Sequence, residues 1–233
     1  MANKPILFST PMVMANLEGR KTQTRRIVKG LQSDSDSFKT ISFKRRLWDS
    51  SKEAAPGPLE TNAIFVNDKG EGYKVKSKYQ VGDVMWGRES FFIAEIERPE
   101  SITDDIILHY EYRDGTCSEN PVRILHHPEP FVWKPSIHMP KEAARIFLEV
   151  TDVRVERLRD IFHRDAREEG VDYVEGKTCR LYFNYLTLDY GCNELFSFMT
   201  LWQSINGIES WEKNPWVWVY KYKVVDKPKD FLS

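Results

Sequence analysis

Eight residues near the start of the chain, Gly19-Arg20-Lys21-Thr22-Gln23-Thr24-Arg25-Arg26, join four cations to three polar side chains with no apolar residue between them. Such a run suits anion binding, because Lys and Arg supply charge and Arg adds forked donors. It also holds the parts of a nucleophilic centre. A Thr hydroxyl such as Thr24 attacks only when a base takes its proton. Lys21 is that base only where burial or neighbouring cations lower its pKa, and Arg20, Arg25 and Arg26 are such cations. Lys21 and Thr24 stand three apart, so a helical turn puts them on one face and a strand on opposite faces. Both conformations are open at this point. So is the plainer alternative, a solvated basic turn.

A carboxylate of note is Glu169, three residues after Ala166 and immediately before Gly170. The preceding residues read as a helix from Asp160 that Gly170 ends. A Glu at a helix C-terminus opposes the dipole, so it needs a cationic partner, unless it is merely exposed. A second carboxylate, Glu89 beside Arg88, reads first as half of an ion pair. His126-His127-Pro128 and His138 lack a Cys or carboxylate at ligand spacing, so no metal and no organic cofactor are expected. None of Lys21, Thr24 and Glu169 is expected in the core.

The elements that must position these groups follow from pattern. Lys4 to Ser9 reads as a strand, and Thr10-Pro11 opens a short helix that Gly19 closes. Val84 to Arg88 is a strand entered through the turn Gln80-Val81-Gly82-Asp83, and Gly87 within it marks a bulge or a close backbone approach. Ile106 to Tyr112, Arg145 to Val150 and Val153 to Leu158 alternate as strands, with a bend at Thr151-Asp152. Glu149, Arg154, Glu156 and Arg157 are assigned to a solvent face. Leu195, Phe198, Trp202 and Ile205 form a helical apolar stripe, and Trp216 to Val225 is a strand with one buried face. Residues 31 to 78, 95 to 140 and 171 to 193 are irregular and read as insertions, the first carrying a hairpin. Residues 226 to 233 read as a polar tail.

Composition bounds the rest. The 233 residues suffice for one sizeable domain, and 41% apolar content with seven tryptophans requires a folded core. The net charge of −1 excludes a general basic nucleic-acid coat, so any nucleic-acid contact is local. No run approaches the ~20 apolar residues of a membrane span. Three cysteines without a Cys-x-x-Cys pair, and no leader-like start, predict a cytoplasmic protein.

The run Gly19 to Arg25 resembles the Gly-x-Lys-x-x-Thr-x-Arg signature of the ASCH family. Val81-Gly82-Asp83-Val84 is similar to that family's Gly-Asp turn, Ala166 to Gly170 to its Ala-x-x-Glu-Gly helix end, and Pro215 to Val219 to its closing aromatic strand. The resemblance covers about a third of the chain and implies an α+β fold: a PUA-like β-barrel flanked by short helices, here as one domain over residues 1 to 225. Long members with a run like Lys134-Pro135-Ser136-Ile137-His138-Met139-Pro140 resemble phage and prophage proteins, which implies a host cytoplasm. The family is regarded as RNA-binding. Some small members are amidohydrolases that deacylate N4-acetylcytidine with a Lys, a Thr and a Glu, which implies Lys21, Thr24 and Glu169 here. Two other readings stay open. In a binding module, Arg20, Arg25, Arg26 and Lys21 hold phosphate and Trp86 stacks a base of RNA or a nucleotide. In a phage protein that grips a host protein, the insertions form the contact surface.

Overall fold

The computed structural model describes residues 2–29, 31, 40–44, 61–67, 70–97, 106–117, 122–124 and 132–232. The loop assignments around Ser33 to Ser37 and Ala55 to Pro58, and the pair His126-His127, lie outside them. Among the described residues the order is β1 (Asn3–Leu7), α1 (Thr10–Leu17), β2 (Gln23–Ile27), β3 (Thr40–Lys44), β4 (Asn62–Val66), β5 (Gly72–Lys76) and β6 (Val84–Arg88). There follow β7 (Phe91–Glu97), β8 (Ile106–Tyr112), β9 (Val122–Ile124), β10 (Phe147–Arg157) and α2 (His163–Glu168). The chain ends with β11 (Tyr173–Glu175), β12 (Arg180–Phe183), β13 (Tyr190–Gly191), α3 (Glu194–Asn206) and β14 (Trp216–Val225). The protein is α+β, mostly strand, and no closed barrel is traced among the described residues.

Two compact units share the chain. The first comprises Met1–Glu18, Val84–Leu148 and Val224–Ser233. In it β1 lies parallel to β6, with Asn3 opposite Val84 and Leu7 opposite Arg88. Gly87 is a point of close approach: a Cβ there would lie 3.1 Å from the Cβ of Ile146. The antiparallel sheet β7–β8–β9 packs Phe91, Ile93, Tyr110 and Tyr112 against Met139 and Ala143. The C-terminal residues are anchored, in contrast to the polar tail expected. Phe231 is fully buried, edge-on to Phe147 at 4.8 Å, because this single aromatic outweighs the charges around it.

The second unit comprises Gly19–Asp83 and Glu149–Lys223. Its strands run β10–β14–β2, and β14 pairs antiparallel with β2, Tyr220 opposite Thr24 and Lys221 opposite Gln23. Both faces of β14 are covered along Val217, Trp218, Val219 and Tyr220, each at most 3% exposed, so it is a central strand and not one with a single buried face. The two strands expected around Thr151-Asp152 are one continuous strand, β10. Residues 171 to 193 hold a three-stranded sheet, β11–β12–β13. The first insertion likewise carries three strands, β3–β4–β5. In α3 the stripe holds at Phe198 and Trp202, which are buried, but Ile205 is 57% exposed.

Candidate functional site

Lys21 and Glu169 meet inside the second unit. The Lys21 ammonium donates to the Glu169 carboxylate at 2.9 Å and to its backbone carbonyl at 2.6 Å. Both residues are buried, Lys21 to 2% exposure and Glu169 to 3%. The local reason is the end of α2. Glu169 is its cap, and Gly170, at φ +80°, turns the chain in a conformation that side chains disfavour. The helix end leaves carbonyls without partners and a carboxylate against the dipole. Lys21 satisfies the carbonyl and the charge together. Arg20 continues the pattern, donating to the carbonyls of Gly170 at 3.2 Å and Val171 at 3.3 Å. The backbone is tied as well, with the Thr22 amide on the Glu168 carbonyl at 2.9 Å.

Arg25 is the second anchor. Its guanidinium donates to Glu169 at 2.8 Å, to Glu156 at 2.5 and 3.1 Å and to Asp165 at 3.2 Å, and it lies 5.7 Å from the centre of the Phe198 ring. Arg154 closes the network onto Asp165 and Glu156, each at 2.9 Å, and Gln23 donates to the Asp165 carbonyl at 2.8 Å. Glu156 and Arg154, assigned above to a solvent face, therefore turn toward Arg25 and Asp165. A buried guanidinium draws carboxylates to itself because leaving it unpaired is costly. Nothing in the spacing of the sequence marks these partners. The one available signal is that Arg154 and Glu156 alternate on the strand that leads to α2.

Burial pushes the Lys21 pKa down. Glu169 opposes that shift, Arg26 and Arg25 add to it, and the result lies below the usual 10.5. Arg25 is held above its ordinary value because Glu169 and Glu156 outweigh its burial. Tyr222 joins the group from β14. Burial raises its hydroxyl well above 10.0, Glu169 adds to the rise, and Arg26 opposes it.

The remaining expected site residues fall as follows. Thr24 is buried on β2, on the strand face opposite Gln23 and Arg25. The local conformation is thus a strand and not the helical turn that would align Thr24 with Lys21. Among the described residues no hydrogen bond joins the Thr24 hydroxyl to Lys21 or Glu169. All three side chains are buried, against the expectation that none is core. Arg20 is partly exposed, with Asp172 at 3.7 Å. Arg26 is half-buried and donates to the Arg25 carbonyl at 3.2 Å. Trp86 belongs to the first unit, buried with Val84, Ala144, Phe147 and Phe231, so its ring is engaged by protein. Glu89, also in the first unit, forms a two-point pair with Arg145 at 2.8 Å through both oxygens, and Asp114 joins the same guanidinium at 2.9 Å. His138 stands exposed in the 3-10 turn Ser136–His138.

A hollow of about 400 Å³, lined by Ile27, Ile208, Lys213 and Pro215 among others, lies near the end of α3 and includes none of these residues. Among the described residues no helix is long and apolar enough to cross a membrane. No family model, curated protein or solved structure matches the chain. What defines the candidate site is therefore its own geometry: a buried lysine held at a helix end by a carboxylate that a buried arginine shares.

Proposed function

We propose that the chain is a nucleotide- or RNA-directed protein of the ASCH type, and that Lys21, Thr24 and Glu169 hydrolyse the amide of an N4-acylated cytosine. The observation that carries this reading is the enclosed Lys21–Glu169 pair, with the lysine pKa pushed down. A lysine in that state gives up its proton more readily and serves as a base. Glu169 keeps Nζ in place and is positioned to pass a proton on. The proposed reaction requires the movement that admits substrate also to bring Thr24 within reach of Lys21, which then takes its hydroxyl proton as the oxygen attacks the acyl carbonyl. The cytosine amine leaves carrying a proton, and water then frees the carboxylate from Thr24. The role of Thr24 rests on the resemblance alone.

The fold belongs to the same proposal. Two of the resembling segments, on β2 and β14, are hydrogen-bonded neighbours, and a third, at Glu169-Gly170, contacts the first. That arrangement supports a PUA-like core. With Lys21 at 2% exposure, a substrate reaches Nζ only when the Gly19–Thr22 segment or the end of α2 moves. The test is to incubate the chain with a panel of N4-acylated cytidines and measure released carboxylate. Release from at least one, scaling with protein, is expected. Binding without release would return the chain to the binding-module reading, and neither binding nor release would remove both.

A further inference from the structure

We infer that Cys179 and Cys192 are a reversible disulfide site that staples the β11–β12–β13 sheet to the start of α3. The two thiols are exposed, and their sulfurs lie 3.1 Å apart. That is about 1 Å beyond the ~2.05 Å of a disulfide bond, so closure needs only a small side-chain rotation. The backbone explains the meeting. Cys179 ends the tight turn between β11 and β12, where its carbonyl accepts from the Gly176 amide at 3.1 Å. Cys192 follows β13 directly. The register pairs Tyr182 with Gly191, so the next step of the ladder sets Cys192 beside Leu181, two residues from Cys179 and on the same face. Asn193, the next residue, caps α3 by accepting from the Phe196 amide at 3.0 Å. The sheet is already docked on that helix, with the Ser197 hydroxyl on the Phe183 carbonyl at 2.5 Å and the Tyr185 amide on the Thr200 hydroxyl at 3.1 Å. A bond at this point would fix a joint whose two sides are in register. The shared hydrogen bond pushes the Cys192 thiol up, as expected for two sulfurs in contact.

The oxidant is a small exchangeable disulfide of the glutathione class. One cysteine thiolate attacks it, forms a mixed disulfide and expels the first small thiol. The second cysteine thiolate then attacks the protein-bound sulfur, forms the Cys179–Cys192 bond and expels the second small thiol. Two protein thiols are oxidised, one small disulfide is reduced to two thiols, and the two protons end on those thiols. The inference stands independently of the Lys21 site.

The test is to incubate the full chain with glutathione disulfide and count free thiols. In the Cys117→Ser chain the count should fall from two to none with no glutathione retained, whereas an unbridged exposed cysteine keeps its glutathione adduct. Leu188 is 72% exposed in the turn between β12 and β13, which makes that turn open to proteolysis. Chain cut there should stay joined without reductant and separate with it. Cys117→Ser should leave the bridge intact, whereas Cys179→Ser or Cys192→Ser should each abolish it and keep a glutathione adduct on the remaining cysteine. Persistence of all three thiols, or a bridge that maps to Cys117 or joins two chains, would overturn the inference.

Discussion

Lys21 and Arg25 are cations that have given up water for carboxylates, and the two are unequal. Arg25 serves Glu156, Asp165 and Glu169, whereas Lys21 serves Glu169 alone. Removing one partner of a buried pair leaves the other charge stranded. Arg25→Met should therefore cost about 3–5 kcal/mol. Lys21→Met, which leaves Glu169 paired to Arg25, should cost less, about 1–3 kcal/mol. Denaturant unfolding of the two variants checks the order, and equal costs would mean that the network is not shared in this way. The Lys21–Glu169 meeting was legible, because a carboxylate at a helix end calls for a cation and the resemblance named one. The Arg25 partners were not, since Glu156 and Asp165 stand 131 and 140 residues away and only the fold brings them in. The expectations of a phosphate-binding Arg25 and a base-stacking Trp86 rest on residue type alone. The identity of a residue does not reveal whether protein already occupies it.

At the scale of elements, the site depends on where a helix stops and a strand starts. Gly170 stops α2 with φ +80° and hands its carbonyl to Arg20. Gly170→Ala should destabilise the chain by about 1–2 kcal/mol through the left-handed backbone alone. It should also weaken any turnover, because Glu169 is the preceding residue. Thermal unfolding reads the first effect, and an unchanged midpoint would contradict it. The end of α2 was legible from the glycine. The strand at β2 was not, because a run of cations and threonines carries no apolar period to separate strand from turn. Its ladder with β14 decides the matter. The same ladder places Thr24 beside Tyr220 and away from the face of Gln23 and Arg25. The sheet β11–β12–β13 is hidden in the sequence because two of its strands have three residues or fewer, too short for alternation to register.

For the whole molecule, acid is the expected route to unfolding. Burial pushes Asp114 up, but hydrogen bonds from Thr116 and Arg145 outweigh it and hold the group below 3.8. Glu168 and Glu194 are held below 4.5 in the same way, against burial, by Arg164 and Lys221 in one case and by a backbone amide, His163 and Arg167 in the other. Between each lowered value and the ordinary one, the unfolded chain binds more protons than the folded chain. These groups therefore stabilise the fold above that range, and the contribution is lost as pH falls through it. Glu89 runs the other way, since burial raises it above 4.5 despite Arg145, so its ionisation costs stability as pH rises there. Stability should drop on acidification below about pH 4.5, and Glu89→Gln should lower stability more at acid pH, where Glu89 is protonated, than at neutral pH, where the substitution also removes the cost of ionising it. A stability that rises steadily into acid would contradict the first, and a Glu89→Gln loss that is larger at neutral pH than at acid pH would contradict the second. The α+β class was legible from the alternating segments and the short helix, while the burial of the polar site was hidden by a net charge of −1 that says nothing of where charges pair. The central claim, that Lys21 and Glu169 act as one unit on an acylated cytosine, is tested most directly by carboxylate release from N4-acetylcytidine. The comparison is between the unaltered chain, Lys21→Met, Glu169→Gln and the double variant, each first shown to be folded. Each single change should lower kcat/KM by about 100-fold or more, with the double variant little worse than either. Undiminished release by a folded Lys21→Met, or losses that multiply in the double variant, would contradict it.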